Sequence, residues 1–307
     1  MSIAFESRRV LFMSTNRKVL IGELMERKEL NPRDIRQGVA VSDNKLINAC
    51  YQMTPFQKKL FNCAIAAHHS KQFLKTKEVV VSLDDLADLM AKPLKEVSRL
   101  CKRETRPMSR LQVVDIAYKQ KRPERDLKAL SRIDKQEEME DLTEIERISY
   151  KNFFQEVELI EDGIHKVMYF KFSDWLVPYI ELIRKKFAQV PVMQVSKLQS
   201  FYSMRIFDFL MATGESKKER IRTFSVQEYR HMLGFIDDKK DMYQRWADFR
   251  KRCLVEPIAE LNNKTNSDGN NKMIWSFNVT GRGNTKRISI TVKSEYVEVQ
   301  QELDMDC

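Results

Sequence analysis

The segment DMYQRWADFRKRCLVEPIAELNN, residues 241–263, has the hydrophobic spacing of a long amphipathic α-helix. Its apolar residues gather on one face when the segment is projected at about 100° per residue. That face consists of Trp246, Phe249, Cys253, Leu254 and Leu261. Pro257 lacks a backbone N–H and crowds the preceding turn, so we expect the helix to bend there.

Two shorter helices are predicted before this segment. Apolar residues at helical spacing predict one that follows Ser196 and stops at Gly214. The motif Ser225-Val-Gln-Glu228 is a capping box, whose Ser and Glu side chains accept hydrogen bonds from backbone N–H groups at a helix N-terminus. It predicts a short second helix that ends near Gly234.

A β-hairpin is predicted after the long helix. Apolar residues alternate with other residues on both sides of the segment 281–287, which is the period of a strand with one buried face. The alternating residues are Trp275, Phe277, Val279, Ile288, Ile290 and Val292. Gly281 and Gly283 make the tip flexible, and its Lys and Arg residues make it basic.

The first half of the chain has the same order of helices. A helix is predicted from Thr54, with Pro55 in its first turn. Ser82 can cap a short second helix, with Asp85 placed favourably in the first turn. Pro93 opens a third helix, and Pro107 is expected to end or kink it.

A hairpin follows in this half too. Residues 153–160 and 164–172 are rich in β-branched and aromatic side chains and flank Asp162-Gly163, a strong turn signal. Each half is therefore predicted to consist of helices followed by a hairpin. We predict an α+β, mainly helical fold of two tandem winged-helix domains, each a helix-turn-helix with a β-hairpin.

The predicted domains have the following limits. Residues 1–41 are expected to be a flexible leader, and residues 42–180 the first winged-helix domain. The first domain contains a charged insertion, residues 119–149, which we expect to be exposed and partly helical. Residues 181–295 form the second domain, and residues 296–307 a tail.

The third helix of the first half carries a cationic face. Residues 92–110 contain seven basic and two acidic residues, a local net charge of +5. Six of the basic side chains project opposite the apolar stripe: Lys95, Arg99, Lys102, Arg103, Arg106 and Arg110. The first five are the predicted DNA-contact residues. Such a face suits phosphate groups, and the alternative is a merely solvated helix face.

The long helix of the second half carries a more mixed face. Its outward residues are predicted to be Gln244, Arg245, Asp248, Lys251 and Arg252, and the hairpin tip adds Arg282, Asn284, Lys286 and Arg287. Amide, carboxylate and guanidinium groups can read base edges in the major groove of B-DNA, which admits an α-helix. We therefore predict phosphate contact by the first helix and base reading by the second. Arg250 projects toward the apolar side and is expected to be packed or paired.

Overall composition agrees with a nucleic-acid partner. The chain has 307 residues with 54 Lys+Arg and 44 Asp+Glu, a formal charge of +10, which favours nucleic acid or an acidic membrane. No apolar run is long enough to span a bilayer, and the N-terminus lacks a signal-peptide core, so a cytoplasmic protein without membrane contact is expected. Five Cys without Cys-x-x-Cys spacing indicate a reducing compartment and neither disulfides nor zinc.

Catalysis and cofactors are not predicted. The four His residues lack metal-binding spacing, and the adjacent pair His68 and His69 is expected to cap carbonyls at a helix end. No Gly-Lys-Ser or Gly-Lys-Thr occurs, so nucleotide binding is not expected. We predict no catalytic residues, no metal, no cofactor and no enzyme activity.

The sequence resembles the iteron-binding replication initiator proteins of bacterial plasmids, which have two winged-helix domains. The resemblance covers residues 44–292, and its marks are the segments 44–49, 202–207 and, most specifically, 248–262. It implies binding to direct repeats in double-stranded DNA at an origin, origin opening, and recruitment of the host replicative helicase and host initiator protein. It also implies a monomer–dimer equilibrium, with repression of the initiator's own gene.

The resemblance leaves two features without a role, the charged insertion 119–149 and the leader. Two other functions remain open from the residues. A winged-helix transcriptional repressor would bind one inverted repeat without origin activity. A strand-nicking initiator would need a metal-holding His pair and a Tyr nucleophile, and the sequence has no His-x-His arrangement.

Overall fold

The computed structural model describes residues 38–70, 77–118, 145–161, 166–181, 187–212, 219–235, 242–265 and 271–296. The first half contains six strands and five helices in these ranges. They are β1 (Val39–Asp43), α1 (Asn44–Ile47), α2 (Pro55–Ser70), β2 (Glu78–Ser82), α3 (Leu83–Met90), α4 (Leu94–Ser109), β3 (Gln112–Tyr118), β4 (Ile145–Asn152), β5 (Phe154–Glu161), β6 (Lys166–Phe172) and α5 (Pro178–Glu181). The predicted Asp162-Gly163 turn lies outside the described residues.

The second half follows with four strands and a similar series of helices among its described residues. They are β7 (Phe187–Pro191), α6 (Val192–Ser196), α7 (Phe201–Met211), β8 (Glu219–Ser225), α8 (Val226–Met232), α9 (Trp246–Arg250), a π-helical turn (Lys251–Val255), α10 (Glu256–Lys264), β9 (Asn271–Thr280) and β10 (Arg287–Tyr296). We call α9, the π-turn and α10 together the long helix, residues 246–264.

Each half contains an antiparallel three-stranded sheet of the same topology. The strand orders are β2-β6-β5 and β8-β10-β9. In both sheets the last strand of the hairpin lies in the centre and pairs with a strand that precedes the second helix. The first hairpin was predicted from its β-branched and aromatic residues and its turn signal, and the second from alternation, whereas the short strands β2 and β8 were not predicted. The structure therefore confirms two winged-helix units of α+β type.

Two further strand pairs join distant parts of the chain. Strand β1 pairs antiparallel with β7, from Val39 opposite Pro191 to Asp43 opposite Phe187. Strand β3 pairs with β4, which brings the two ends of the charged insertion together. Residues 145–149 were predicted to belong to an exposed, partly helical insertion, but they form the first part of strand β4. Backbone pairing with β3 overrides their local charge pattern.

The second half differs from the predicted helix limits at Ser196. This residue ends α6, and the next helix starts only after Ser200. The Ser200 hydroxyl accepts from the backbone N–H of Tyr202 at 3.2 Å, and the Glu260 carboxylate accepts from the N–H of Ser200 at 3.1 Å. A carboxylate at a helix N-terminus satisfies free N–H groups and matches the helix dipole. A tertiary contact with α10 thus sets where α7 begins.

The long helix also begins later than predicted. It starts at Trp246 instead of Asp241, because Tyr243 has a left-handed backbone with φ of +61°. The guanidinium of Arg230 donates to the Tyr243 carbonyl at 3.0 Å, and the Tyr243 ring packs against Tyr202 and Phe235. These contacts hold a non-helical conformation that local spacing does not predict.

One hydrophobic core extends through both halves. Tyr51 of the first half contacts Phe153 at a ring-centroid distance of 5.4 Å and Phe201 of the second half at 6.3 Å. Gly234 lies so close to this segment that an added Cβ would come 2.7 Å from the Tyr51 carbonyl oxygen. Its φ of +87° also favours glycine. The two units are therefore packed directly on each other.

A buried charge cluster crosses the same interface. Lys58 of α2 forms an ion pair with Asp208 of α7 at 2.7 Å, and both side chains are at most 5% exposed. Arg205 is fully buried, lies 4.0 Å from Asp208 and donates to the carbonyl oxygens of Ala49 and Met232 at 3.1 and 2.7 Å. Its guanidinium also stacks 4.1 Å from the Tyr51 ring centroid. Helices α2 and α7 are thus joined by a buried ion pair.

We expect Asp208→Ala to lower the free energy of unfolding by about 3–5 kcal/mol, because it leaves Lys58 and Arg205 buried without their carboxylate. Urea denaturation measures the change. The matched control is Glu219→Ala, which breaks the exposed Lys293–Glu219 pair at 3.3 Å and should cost less than about 1 kcal/mol. Equal small effects of the two substitutions would contradict the role of the buried cluster.

Candidate nucleic-acid interface

Helix α4 of the first unit has the two faces that its sequence predicts. Val97, Cys101 and Met108 are buried. The five predicted contact residues, Lys95, Arg99, Lys102, Arg103 and Arg106, are all exposed. The helix continues through Pro107 to Ser109, so the proline does not end it at once. Helix α4 therefore presents a cationic surface over its full length.

Two of these cations are already paired. Lys102 forms an ion pair at 2.7 Å with Glu161, which also accepts from the Ser98 hydroxyl at 2.6 Å. These hydrogen bonds lower the pKa of Glu161 below its usual value. Arg103 pairs at 3.0 Å with the buried Glu104. Strand β5, the first strand of the hairpin, is thus fastened to α4 through Glu161.

The remaining cations of this face are more available to an anion. Lys95, Arg99 and Arg106 are exposed and form no ion pair with another residue of the described ranges. An unpaired surface cation binds a phosphate at a lower free-energy cost than a paired cation, because the paired cation must first break its ion pair with a carboxylate. These three side chains are the strongest candidates for phosphate contact.

In the second unit the predicted residues divide between the long helix and the segment before it. Asp248, Lys251 and Arg252 lie on the helix and are exposed. Gln244 and Arg245 were predicted on the helix face, but Gln244 precedes the helix and Arg245 occupies its N-cap position. Both are exposed beside its N-terminus. The predicted reading surface is therefore a helix together with its leading loop.

Arg252 is held by a residue that the sequence analysis did not select. One terminal nitrogen of its guanidinium donates to both carboxylate oxygens of Glu256, at 3.2 and 3.1 Å. The spacing of four residues on a helix is the signal that could have identified this pair. Glu256 restricts the position of the guanidinium and places a negative charge on the exposed surface.

Pro257 interrupts the backbone hydrogen bonding in the middle of the long helix, and the π-turn lies just before it. Because Pro257 has no N–H, the carbonyl of Cys253, four residues earlier, has no α-helical donor. The Tyr229 hydroxyl donates to that carbonyl at 2.9 Å in the buried interior. A single π-turn at residues 251–255 accommodates the interruption. Helix α8 thus supplies the hydrogen bond that the long helix lacks.

The second hairpin is joined to the long helix by two cation–π contacts. Lys286 is half-buried, with its ammonium 4.8 Å from the Trp246 ring centroid, and Arg250 lies 5.5 Å from the centroid of Phe277. Arg250 was predicted to project toward the apolar side and to be packed or paired; it is exposed in the structure and stacks on Phe277. These contacts hold the hairpin tip, through Lys286, and strand β9, through Phe277, against the start of the long helix.

The hairpin tip is a tight turn. Gly281 has φ of +80°, and a Cβ there would lie 2.4 Å from the Thr285 carbonyl oxygen. The predicted contact residues Arg282 and Arg287 are exposed, whereas the side chain of Asn284 lies outside the described residues. The tip therefore exposes two cations next to Lys286, the residue that contacts Trp246 of the long helix.

The His and Cys residues occupy structural positions. The Nε2 atom of His69 lies 2.9 Å from the Val41 carbonyl oxygen of β1, and His68 pairs with Glu181 at 2.9 Å. They were expected to cap the end of their own helix, but they contact other elements. Cys50, Cys63, Cys101 and Cys253 are buried free thiols, and burial raises the pKa of Cys63, Cys101 and Cys253 to about 12.

The described ranges contain neither a candidate metal site nor a helix that could span a membrane. No group of three or more His, Cys, Asp or Glu side chains in those ranges could hold a metal ion. No described helix has the length and apolar character needed to cross a bilayer.

The fold and its exposed basic helices define the class of this protein as a tandem winged-helix protein. Residues 39–211 match the family described as Initiator Replication protein, WH1, and residues 225–285 match Initiator Rep protein, WH2. The chain belongs to this replication initiator family, which confirms the resemblance found in the sequence. No curated protein matches the chain.

The fold resembles that of a solved initiator structure. The crystal structure of the Pi initiator protein in complex with iteron DNA aligns with a TM-score of 0.61 and 18% identity, covering 85% of this chain and 98% of that chain. A second alignment, to domains 2 and 3 of RctB, has a TM-score of 0.43 and 6% identity, covering 80% and 83% of the two chains.

The first family match ends later than the predicted first domain. It runs to residue 211 and so includes α7, which was assigned to the second domain. In the structure α7 packs against both α2 and α10. A boundary at residues 180 and 181 stays a prediction.

We expect Tyr229→Phe to lower the free energy of unfolding by about 1–3 kcal/mol, because the buried Cys253 carbonyl loses its donor. Chemical denaturation measures the loss. Pro257→Ala in the Tyr229→Phe background supplies a backbone N–H and should restore part of it. Tyr179→Phe is the control, since that hydroxyl makes no hydrogen bond within the described ranges and should change stability little. An equal loss in both Phe variants would refute the assignment.

Proposed function

We propose that this initiator binds directly repeated sites in double-stranded DNA at a replication origin. The observation that carries the proposal is that two winged helices, each with an exposed basic helix, share one continuous core. Two such helices at a fixed separation can contact successive segments of one duplex. Membership of the initiator family and the fold shared with a protein solved on iteron DNA support it.

The two basic helices are proposed to have different tasks. Lys95, Arg99 and Arg106 of α4 offer cations without carboxylate partners in the described ranges, which suits phosphates and a salt-dependent affinity. The long helix presents Asp248 and Arg252, whose side chains can accept from and donate to base edges. We therefore assign phosphate contact to helix α4 and base recognition to the long helix.

The hairpin tip and the loop before the long helix complete the proposed DNA surface. Arg282 and Arg287 are exposed at the tip, and Arg245 is exposed at the helix N-terminus. Lys286 is assigned to both tasks, as a cation near the backbone and as the side chain that holds the hairpin to Trp246. Arg and Lys at these positions suit phosphates on either side of the groove.

The protein is proposed to act by binding alone, without catalysis. Once bound, it is expected to open the origin and to recruit the host replicative helicase and the host initiator protein in the cytoplasm. Self-association and repression of its own gene belong to the same proposal. The alternative is a transcriptional repressor without initiator activity, and repeat orientation distinguishes the two.

Footprinting on DNA that flanks the gene tests the proposal. We expect protection of several tandem direct repeats and an affinity that falls by about one unit of log K per tenfold rise in salt for each neutralised phosphate. Protection of a single inverted repeat, with no origin activity in a plasmid-maintenance assay, would favour the repressor instead.

Two substitutions distinguish base-specific contact from sequence-independent phosphate contact. Arg252→Ala should weaken cognate binding roughly 5- to 150-fold, with little change on random DNA, because a base contact is lost. Lys95→Ala should weaken binding to both and reduce the salt slope by about one unit. Lys95 is a cleaner control than Lys102, whose removal also releases Glu161. Titration of both variants on cognate and random duplexes measures this, and a proportional loss on both for Arg252→Ala would exclude its reader role.

A further inference from the structure

The exposed stripe of the long helix changes from polar to apolar along its length. Asp248, Arg252, Val255 and Ala259 recur at helical spacing, and all four are exposed. The first two carry charge, whereas Val255 and Ala259 end in methyl groups. The stripe therefore offers two kinds of contact to a bound duplex.

Val255 is not explained by the fold. Its side chain is 39% exposed, while the neighbouring apolar residues Leu254, Ile258 and Leu261 are at most 7% exposed. Packing therefore does not require an apolar residue here. Helix propensity does not favour valine either, because its branched Cβ loses rotamer freedom in a helix. The side chain is free to serve a ligand.

The surroundings of Val255 identify the ligand surface. Lys251 and Arg252 are exposed on the same part of the helix, so their charges attract the phosphates on either side of a groove. Among the base edges in the major groove, the apolar group is the 5-methyl of thymine. An exposed valine between groove-facing charges is complementary to that methyl group.

The position of Val255 relative to Arg252 is fixed. Arg252 and Val255 lie three residues apart in the π-turn and are both exposed, so they can contact neighbouring base pairs, which are about 3.4 Å apart. Glu256 holds one guanidinium nitrogen of Arg252 at 3.1 and 3.2 Å, which restricts where the other donors point. Arg suits the two acceptors of guanine. The pair thus matches a guanine with a thymine close to it.

We propose that Val255 is a specificity-determining residue that contacts the 5-methyl group of a thymine adjacent to the guanine read by Arg252. This inference rests on the proposed function and specifies the base that the same surface selects. Val255 recognises the base without hydrogen bonds. The contribution of Val255 to binding depends on the thymine 5-methyl group alone, so it can be measured apart from any contact to phosphate.

Single replacement of thymine by deoxyuridine within the footprinted repeat tests the inference, because it removes the methyl group and keeps base pairing. The full-length protein should bind one substituted duplex about fourfold more weakly, the effect of losing one buried methyl group. Val255→Ala should bind that duplex and the natural one equally. The control Ile221→Ala, at a residue 56% exposed on strand β8, should keep the fourfold difference.

The outcomes separate this inference from the proposed function. A methyl effect that persists in Val255→Ala overturns the inference, and so does a natural repeat in which no deoxyuridine weakens binding. In both cases specific binding of the repeat by the unchanged protein leaves the proposed function standing. A protein that does not distinguish the repeat from random DNA overturns both.

Discussion

The ion pair between Lys58 and Asp208 is the constraint on which the arrangement of the two winged helices depends. Burying these charges is favourable only when partners are close and hydrogen bonds satisfy the remaining polar groups. Arg205 lies 4.0 Å from Asp208 and donates hydrogen bonds to carbonyl groups of both units. If one unit moved relative to the other, the charges of Lys58 and Asp208 would separate in a medium of low dielectric, which costs free energy. This cost opposes a change in the spacing between helix α4 and the long helix.

Within the second unit, the absence of a backbone N–H at Pro257 determines how the long helix is connected to its neighbours. Pro257 leaves the Cys253 carbonyl without a helical donor, and Tyr229 of α8 replaces it. The stacking of Lys286 on Trp246 and of Arg250 on Phe277 then ties the hairpin to the same helix. Helix, preceding helix and hairpin are thereby joined as one body, which would meet DNA with little loss of conformational freedom.

How much the sequence predicted depended on the range of the interactions involved. Capping at Ser82 and Ser225, both hairpins and the cationic face of α4 depend on residues close in sequence, and all were predicted. The start of the long helix, the pairing of β1 with β7 and the strand at residues 145–149 were missed or wrong. Each depends on a partner more than ten residues away, such as Arg230 for Tyr243.

The sequence by itself determined the class of fold, the repeated order of elements and which helix faces carry charge. Helical and strand periodicity follow from which side chains are buried, and capping motifs involve residues close in sequence. Both can therefore be recognised in a single sequence. Only the tertiary structure decided that Lys102 is already paired, because its partner Glu161 lies on a different element, strand β5. It also decided how the two units sit together, since that depends on buried contacts between residues some 150 positions apart, such as those of Lys58 and Arg205.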